Sequence, residues 1–114
     1  MRPDRILLID MLVAARDAVS FLDGCSFEQF QEDRMRQLAV VKAVEVVGEA
    51  ASKLSEEFRS GHSELPWREI VGMRYRLVHD YFGIDLEQVW NTVHEDLSGM
   101  IDIVDKWVSS GDGE

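Results

Sequence analysis

Apolar side chains recur every three or four residues through most of this chain, which is the period of an α-helix and not of a strand. At about 100° per residue, Leu7, Leu8, Met11, Leu12, Ala15, Ala18, Val19 and Leu22 share one arc, with Arg5, Asp10, Arg16, Asp17 and Ser20 opposite. This predicts a first helix from Pro3 to Leu22, opened by a proline whose missing N–H is not needed there and ended by Asp23-Gly24. Ser26 with Gln29 three residues on forms a capping-box pattern, and the period then runs without an obvious stop from Phe27 to Phe58. One apolar stripe of this long second helix is Val40, Val41, Val44, Val47, Ala51, Leu54 and Phe58. A second stripe of mostly small residues is Met35, Ala39, Ala43, Val46 and Ala50, leaving Lys42, Glu45, Glu49 and Glu56 on the polar side. Arg59–Leu65 reads as a loop in which His62 is solvated. Pro66-Trp67 opens a third helix with Trp67, Ile70, Val71 and Val78 on its apolar face. Asp85 caps a last helix, Leu86 to Val108, striped by Leu86, Val89, Trp90, Val93, Leu97, Met100, Ile101, Val104 and Val108.

The expected architecture is an all-α, four-to-five-helix up-and-down bundle with a long second helix. The chain of 114 residues is one domain, residues 1–108, followed by a flexible tail, residues 109–114. A helix apolar on two sides needs cover on two sides, so the small-residue stripe points to a homodimer; cover by the first and last helices is the alternative.

Composition narrows the function. With 12 Lys and Arg against 22 Asp and Glu, the net charge is −10, which argues against general, charge-driven nucleic-acid binding. Any such contact needs a local basic patch. The single cysteine, Cys25, cannot form an internal disulfide, no Cys/His spacing suggests zinc, and no cofactor motif is present. The N-terminal segment is broken by Asp10, Arg16 and Asp17, so neither a membrane span nor a signal peptide is expected, and the expected location is cytoplasmic. Gly48 within the second helix reads as a close-packing point, and His94 as a packing or surface residue.

One segment breaks the acidic pattern. Gly72-Met73-Arg74-Tyr75-Arg76-Leu77-Val78-His79-Asp80-Tyr81 holds two arginines, a histidine and two tyrosines, with Arg68 one and a half turns earlier. Relative to Ile70, Val71 and Val78, Arg74 falls on the inward side of an unbroken helix, where it needs a partner or lines a groove. Five residues on an intact helix would separate Arg74 and His79 by about 140°. They can converge on one phosphate only if the helix breaks between them or a second subunit supplies the missing group. Such a pair could cleave RNA without metal, the imidazole moving the proton of a ribose 2′-hydroxyl and the guanidinium holding the phosphate. Arg68, Arg76 and Tyr75 are candidates for holding RNA beside it. The competing reading is that His79 and Tyr81 pack a helix end and Arg74 bridges to an acidic residue.

These residues resemble the HepT-like branch of the HEPN superfamily, the toxin half of HEPN/MNT toxin–antitoxin pairs. The resemblance spans nearly the whole chain. It is carried by Phe30-x-x-Asp33, Gly48-Glu49-Ala50, Leu65-Pro66-Trp67, Gly72-Met73-Arg74 leading into Leu77-Val78-His79-Asp80-Tyr81, Ile84-Asp85 and Val89-Trp90. It implies a helical homodimer whose motifs meet in a cleft, and a metal-independent ribonuclease with Arg74 and His79 as the catalytic pair. It also implies a cognate minimal nucleotidyltransferase antitoxin that transfers AMP to Tyr81, filling the cleft with negative charge. One position departs from the pattern: Tyr75 stands where the family usually has a small polar residue, often Asn. The alternative within the same family is a non-catalytic HEPN dimer that binds a nucleotide or a partner protein.

Overall fold

The computed structural model describes residues 3–78 and 83–114. The segments are α1 (Asp4–Phe21), α2 (Phe27–Gln31), α3 (Arg34–Lys53), α4 (Glu56–Gly61), α5 (Trp67–Val71), α6 (Met73–Leu77), α7 (Leu86–Asn91), a π-helical stretch over Thr92–Leu97, and α8 (Ser98–Ser109). Among the described residues the one extended pairing is an isolated antiparallel bridge between Val78 and Ile84, so the chain is all-α. No described helix is long and apolar enough to cross a membrane.

The expected helix from Phe27 to Phe58 is interrupted twice, and each break has a chemical cause. Asp33 leaves helical geometry at φ −114° and its carboxylate accepts from the Arg36 amide at 3.0 Å, which starts α3. The buried Gln37 donates to the carbonyls of Phe30 (2.8 Å) and Gln31 (3.1 Å), satisfying the end of α2 from the side. At the second break Leu54 is extended (φ −60°, ψ 146°), and the Ser55 hydroxyl accepts from the Phe58 amide at 3.0 Å. Ser55 also donates its N–H and its hydroxyl to the Asp4 carboxylate, at 2.9 and 2.7 Å, tying this break to the start of α1. The capping box of Ser26 and Gln29 forms as the sequence predicts.

α3 is the central rod. α1 packs along it, burying Leu8, Met11, Ala15 and Ala18 with Val40, Val44, Val47 and Ala51, while α5 and α6 lie on another side. Ala43 and Ala50 of the small-residue stripe are buried within the chain's own core. The rest of that stripe is more open: Met35 is 83% exposed, and Ala39 and Val46 line a groove of about 620 Å³ shared with Val13 and Phe21 of α1. Gly48 is a close-packing point. A Cβ there would lie 3.1 Å from the Ile70 carbonyl oxygen and 3.2 Å from that of Val71.

The last rod starts where expected, with the Gln88 amide donating to Asp85 at 3.1 Å, but contains the π turn. Trp107, three residues after Val104, joins the core although the expected stripe passes it over for Val108. His62 corrects the sequence reading. α4 extends to Gly61, and the imidazole stacks on Phe58 (3.8 Å between centroids) and meets the Trp107 edge at 4.8 Å. Hydrophobic patterning does not reveal this, because a histidine in a polar loop has no period to belong to. Residues 109–114 turn back onto α1, with the Arg5 amide donating to the Gly113 carbonyl at 3.2 Å. Positive φ at Gly111 (81°) and Gly113 (85°) makes that reversal possible, and a Cβ on Gly113 would sit 2.9 Å from the Arg5 nitrogen.

Two consequences are testable. Gly48→Ala must push backbone, not a flexible side chain, so it is expected to lower stability by about 1–3 kcal/mol, read from the denaturant midpoint. The second concerns the bond between His62 Nε2 and Asp112 Oδ2, 3.0 Å long. Burial pulls the His62 pKa down, but the Phe58 carbonyl, Asp112 and Glu64 outweigh it and leave it above the ordinary 6.5. The imidazolium therefore adds stability that is full below about pH 6.5 and lost as pH rises through the higher folded value. Thermal melts of wild type and Asp112→Asn should differ more at pH 6 than at pH 8; equal differences would refute the linkage.

Candidate active site

The five-residue helix α6 follows α5 after a break at Gly72 (φ −87°, ψ 3°). The break resets the helical phase. Met73 (3% exposed) and Leu77 (0%) now face the core, and Arg74, Tyr75 and Arg76 face outward. The expectation that Arg74 lies on an inward face is therefore corrected, since that expectation counts residues along one unbroken axis. Its corollary survives, because Arg74 lines a groove.

That groove, of about 380 Å³, runs between α3 and the α5–α6 pair. Glu45, Gly48, Glu49 and Ser52 form one wall, and Val71, Arg74 and Tyr75 the other. Arg74 Nη1 lies 3.5 Å from Glu45 Oε1, and the guanidinium carbon is 5.0 Å from the centre of the Tyr75 ring. The Arg74 side chain keeps 48% of its surface exposed and Tyr75 as a residue 70%, so a ligand can reach both. Arg68 and Arg76 are exposed, form no ion pair with another described residue, and do not line this groove. Glu49 pairs with Lys53 at 3.4 Å, and Glu45 with Lys42 at 3.8 Å as well as with Arg74.

α6 ends at Leu77. Val78 is extended (φ −129°, ψ 117°) and bridges Ile84, and the Asp85 amide donates to the Leu77 carbonyl at 2.8 Å. The condition for Arg74 and His79 to converge, a helix that breaks between them, is met. His79 and Tyr81 themselves lie outside the described residues.

The other histidines are occupied elsewhere. His94 is exposed, its Nδ1 meets the Trp90 carbonyl at 2.8 Å and its ring sits 4.3 Å from the indole, in keeping with the packing or surface role expected for it. Cys25 is half-buried, its thiol donating to the Ser26 carbonyl at 3.3 Å. The residues that sequence reading missed are Glu45, Glu49 and Ser52. They sit on the polar face of α3, and no local pattern shows that α6 will be docked opposite them.

Similarity to known proteins fits this arrangement. The model of the HepT-like family, described as ribonuclease HepT-like, matches residues 11–107. A protein of Thermococcus cleftensis named "Probable ribonuclease HepT" is 37% identical over 99 residues, covering 87% of this chain and 90% of that protein. A provisionally named RNase of Caldanaerobacter subterraneus is 37% identical over 97 residues, covering 85% and 87%. Another from Methanocaldococcus jannaschii is 36% identical over 96 residues, covering 84% and 88%. No solved structure matches the chain. The family match takes in α3, α6 and the whole Arg74 groove, and the chain belongs to the HepT-like ribonuclease family.

Proposed function

We propose that this chain is the ribonuclease toxin of a HEPN/MNT toxin–antitoxin pair, acting on RNA in the cytoplasm without metal. The observation that carries this reading is the exposed Arg74 guanidinium at an open groove, three residues before α6 ends at Leu77 and the chain becomes extended at Val78. Membership of a ribonuclease family supports it.

In the proposed reaction Arg74 binds the scissile phosphate and stabilises the added charge of the pentavalent transition state. The His79 imidazole takes the proton of the ribose 2′-hydroxyl, and the 2′-oxygen attacks phosphorus. The bond to the 5′-oxygen breaks, and an imidazolium returns a proton to that leaving oxygen. The products are a 2′,3′-cyclic phosphate and a 5′-hydroxyl. In a homodimer the second His79 can supply that proton, so base and acid come from different subunits. The exposed apolar residues Met35, Leu38 and Val13 beside the α1–α3 groove are the surface we assign to the dimer. Arg68 and Arg76 would follow the RNA backbone, and the Tyr75 ring would stack on a base.

The regulatory half of the proposal is a cognate minimal nucleotidyltransferase that adds AMP to Tyr81. Each added phosphate would place negative charge two residues from His79 and repel RNA. A non-catalytic HEPN dimer, binding a nucleotide or partner, is the second reading; the Arg74–Glu45 contact is the observation that favours it.

Purified wild type, sedimenting as two chains, is expected to cleave single-stranded RNA in the presence of chelator. Arg74→Ala and His79→Ala should each lower the rate by about a hundredfold or more. Wild type no more active than His79→Ala would leave the non-catalytic reading. Co-expression with a cognate minimal nucleotidyltransferase should raise the intact mass in steps of AMP, and Tyr81→Phe should remove the ladder. A ladder that survives that change would move the acceptor, with Tyr75 the next hydroxyl to test.

A further inference from the structure

We infer that Glu45 regulates the groove by competition: its carboxylate occupies the place on Arg74 that an RNA phosphate must take. The inference rests on the reading of Arg74 as the phosphate-binding group.

The contact looks made to be exchanged. A strong arginine–carboxylate pair is bidentate at about 2.7–2.9 Å. Here the closest approach is one nitrogen to one oxygen at 3.5 Å, between side chains 48% and 33% exposed. An ion pair this open and this long contributes little to the fold. Phosphate, with two oxygens for the guanidinium fork, is the better ligand for the same group. The displaced carboxylate also has somewhere to go, because Lys42 Nζ lies 3.8 Å from the same Glu45 oxygen, on the same helix. Glu49, the other carboxylate of the groove, already has its own lysine, Lys53, at 3.4 Å. The Tyr75 ring flanks the guanidinium independently of Glu45, so loss of the carboxylate does not leave Arg74 without a neighbour. In a chain of net charge −10, a carboxylate seated on the central cation makes weak capture of RNA the resting condition.

The measurement is fluorescence anisotropy of the full chain with a labelled single-stranded RNA carrying 2′-O-methyl groups, which binds but cannot be cleaved. Glu45→Gln should tighten binding by about threefold or more, and Glu45→Asp, which withdraws the carboxylate by one methylene, by less. In an Arg74→Ala background the Glu45→Gln change should have no effect. Unchanged or weaker binding by Glu45→Gln, in protein that melts cooperatively, would overturn the inference. So would a tightening that persists without Arg74, since that is general charge repulsion. If Glu45→Gln fails to fold, Glu45→Asp decides by the same criterion. Cleavage of unmodified RNA separates the two levels: Arg74→Ala as active as wild type sinks the reading of the site, whereas an inactive Arg74→Ala with no gain from Glu45→Gln sinks only the competition.

Discussion

The carbonyls of Ile70 and Val71 rest against Gly48, so close that a Cβ, 3.1 and 3.2 Å from their oxygens, would have to push backbone aside. That approach sets the spacing of the groove's two walls. It brings the end of α5 onto the middle of α3, so that α6, starting after Gly72, is laid along the same rod. Glu45 lies three residues before Gly48 and Ser52 four residues after, so the wall opposite Arg74 is the stretch of α3 centred on this glycine. A larger residue would widen the gap between the two walls and alter the reach of Arg74 as well as the packing. The α1–α3 interface carries more of the core, but it does not locate the chemistry.

The groove sets cationic and anionic groups against each other. Arg74 gives the groove its cation on a strongly acidic chain, yet two glutamates line the opposite wall. A polyanion approaching this surface meets repulsion from most of the molecule and attraction from one small area. Affinity in such a site depends less on total charge than on which carboxylates are already held by lysines. Tyr75 adds an uncharged way to hold a base, and its exposed ring is the side chain least affected by that balance.

The helix breaks show how far local chemistry reaches. Asp33, Ser55 and Asp85 each accept from an amide three residues on, and each starts a helix. The Ser26 and Asp85 caps were legible because a turn or glycine precedes them and a clean period follows. Asp33 and Ser55 were not, because the apolar spacing runs past them unchanged. What selects a cap over a continued helix there is a partner outside the local turn: Asp4, 51 residues away, for Ser55, and the buried Gln37, six and seven residues on, for the carbonyls of α2.

The sequence by itself determined the helical class, the main apolar faces of α1, α3 and α8, two of the caps, the close-packing role of Gly48 and the family. All of these are read from spacing within about one or two turns, or from short motifs. Only the tertiary structure decided that Gly72 turns Arg74 outward, that Glu45 faces it, and that His62 leaves its loop for a stack of aromatic rings. The reason is physical. Periodicity reports the angle of a side chain about one uninterrupted axis, whereas these three outcomes depend on where an axis is broken and on what another axis places beside it.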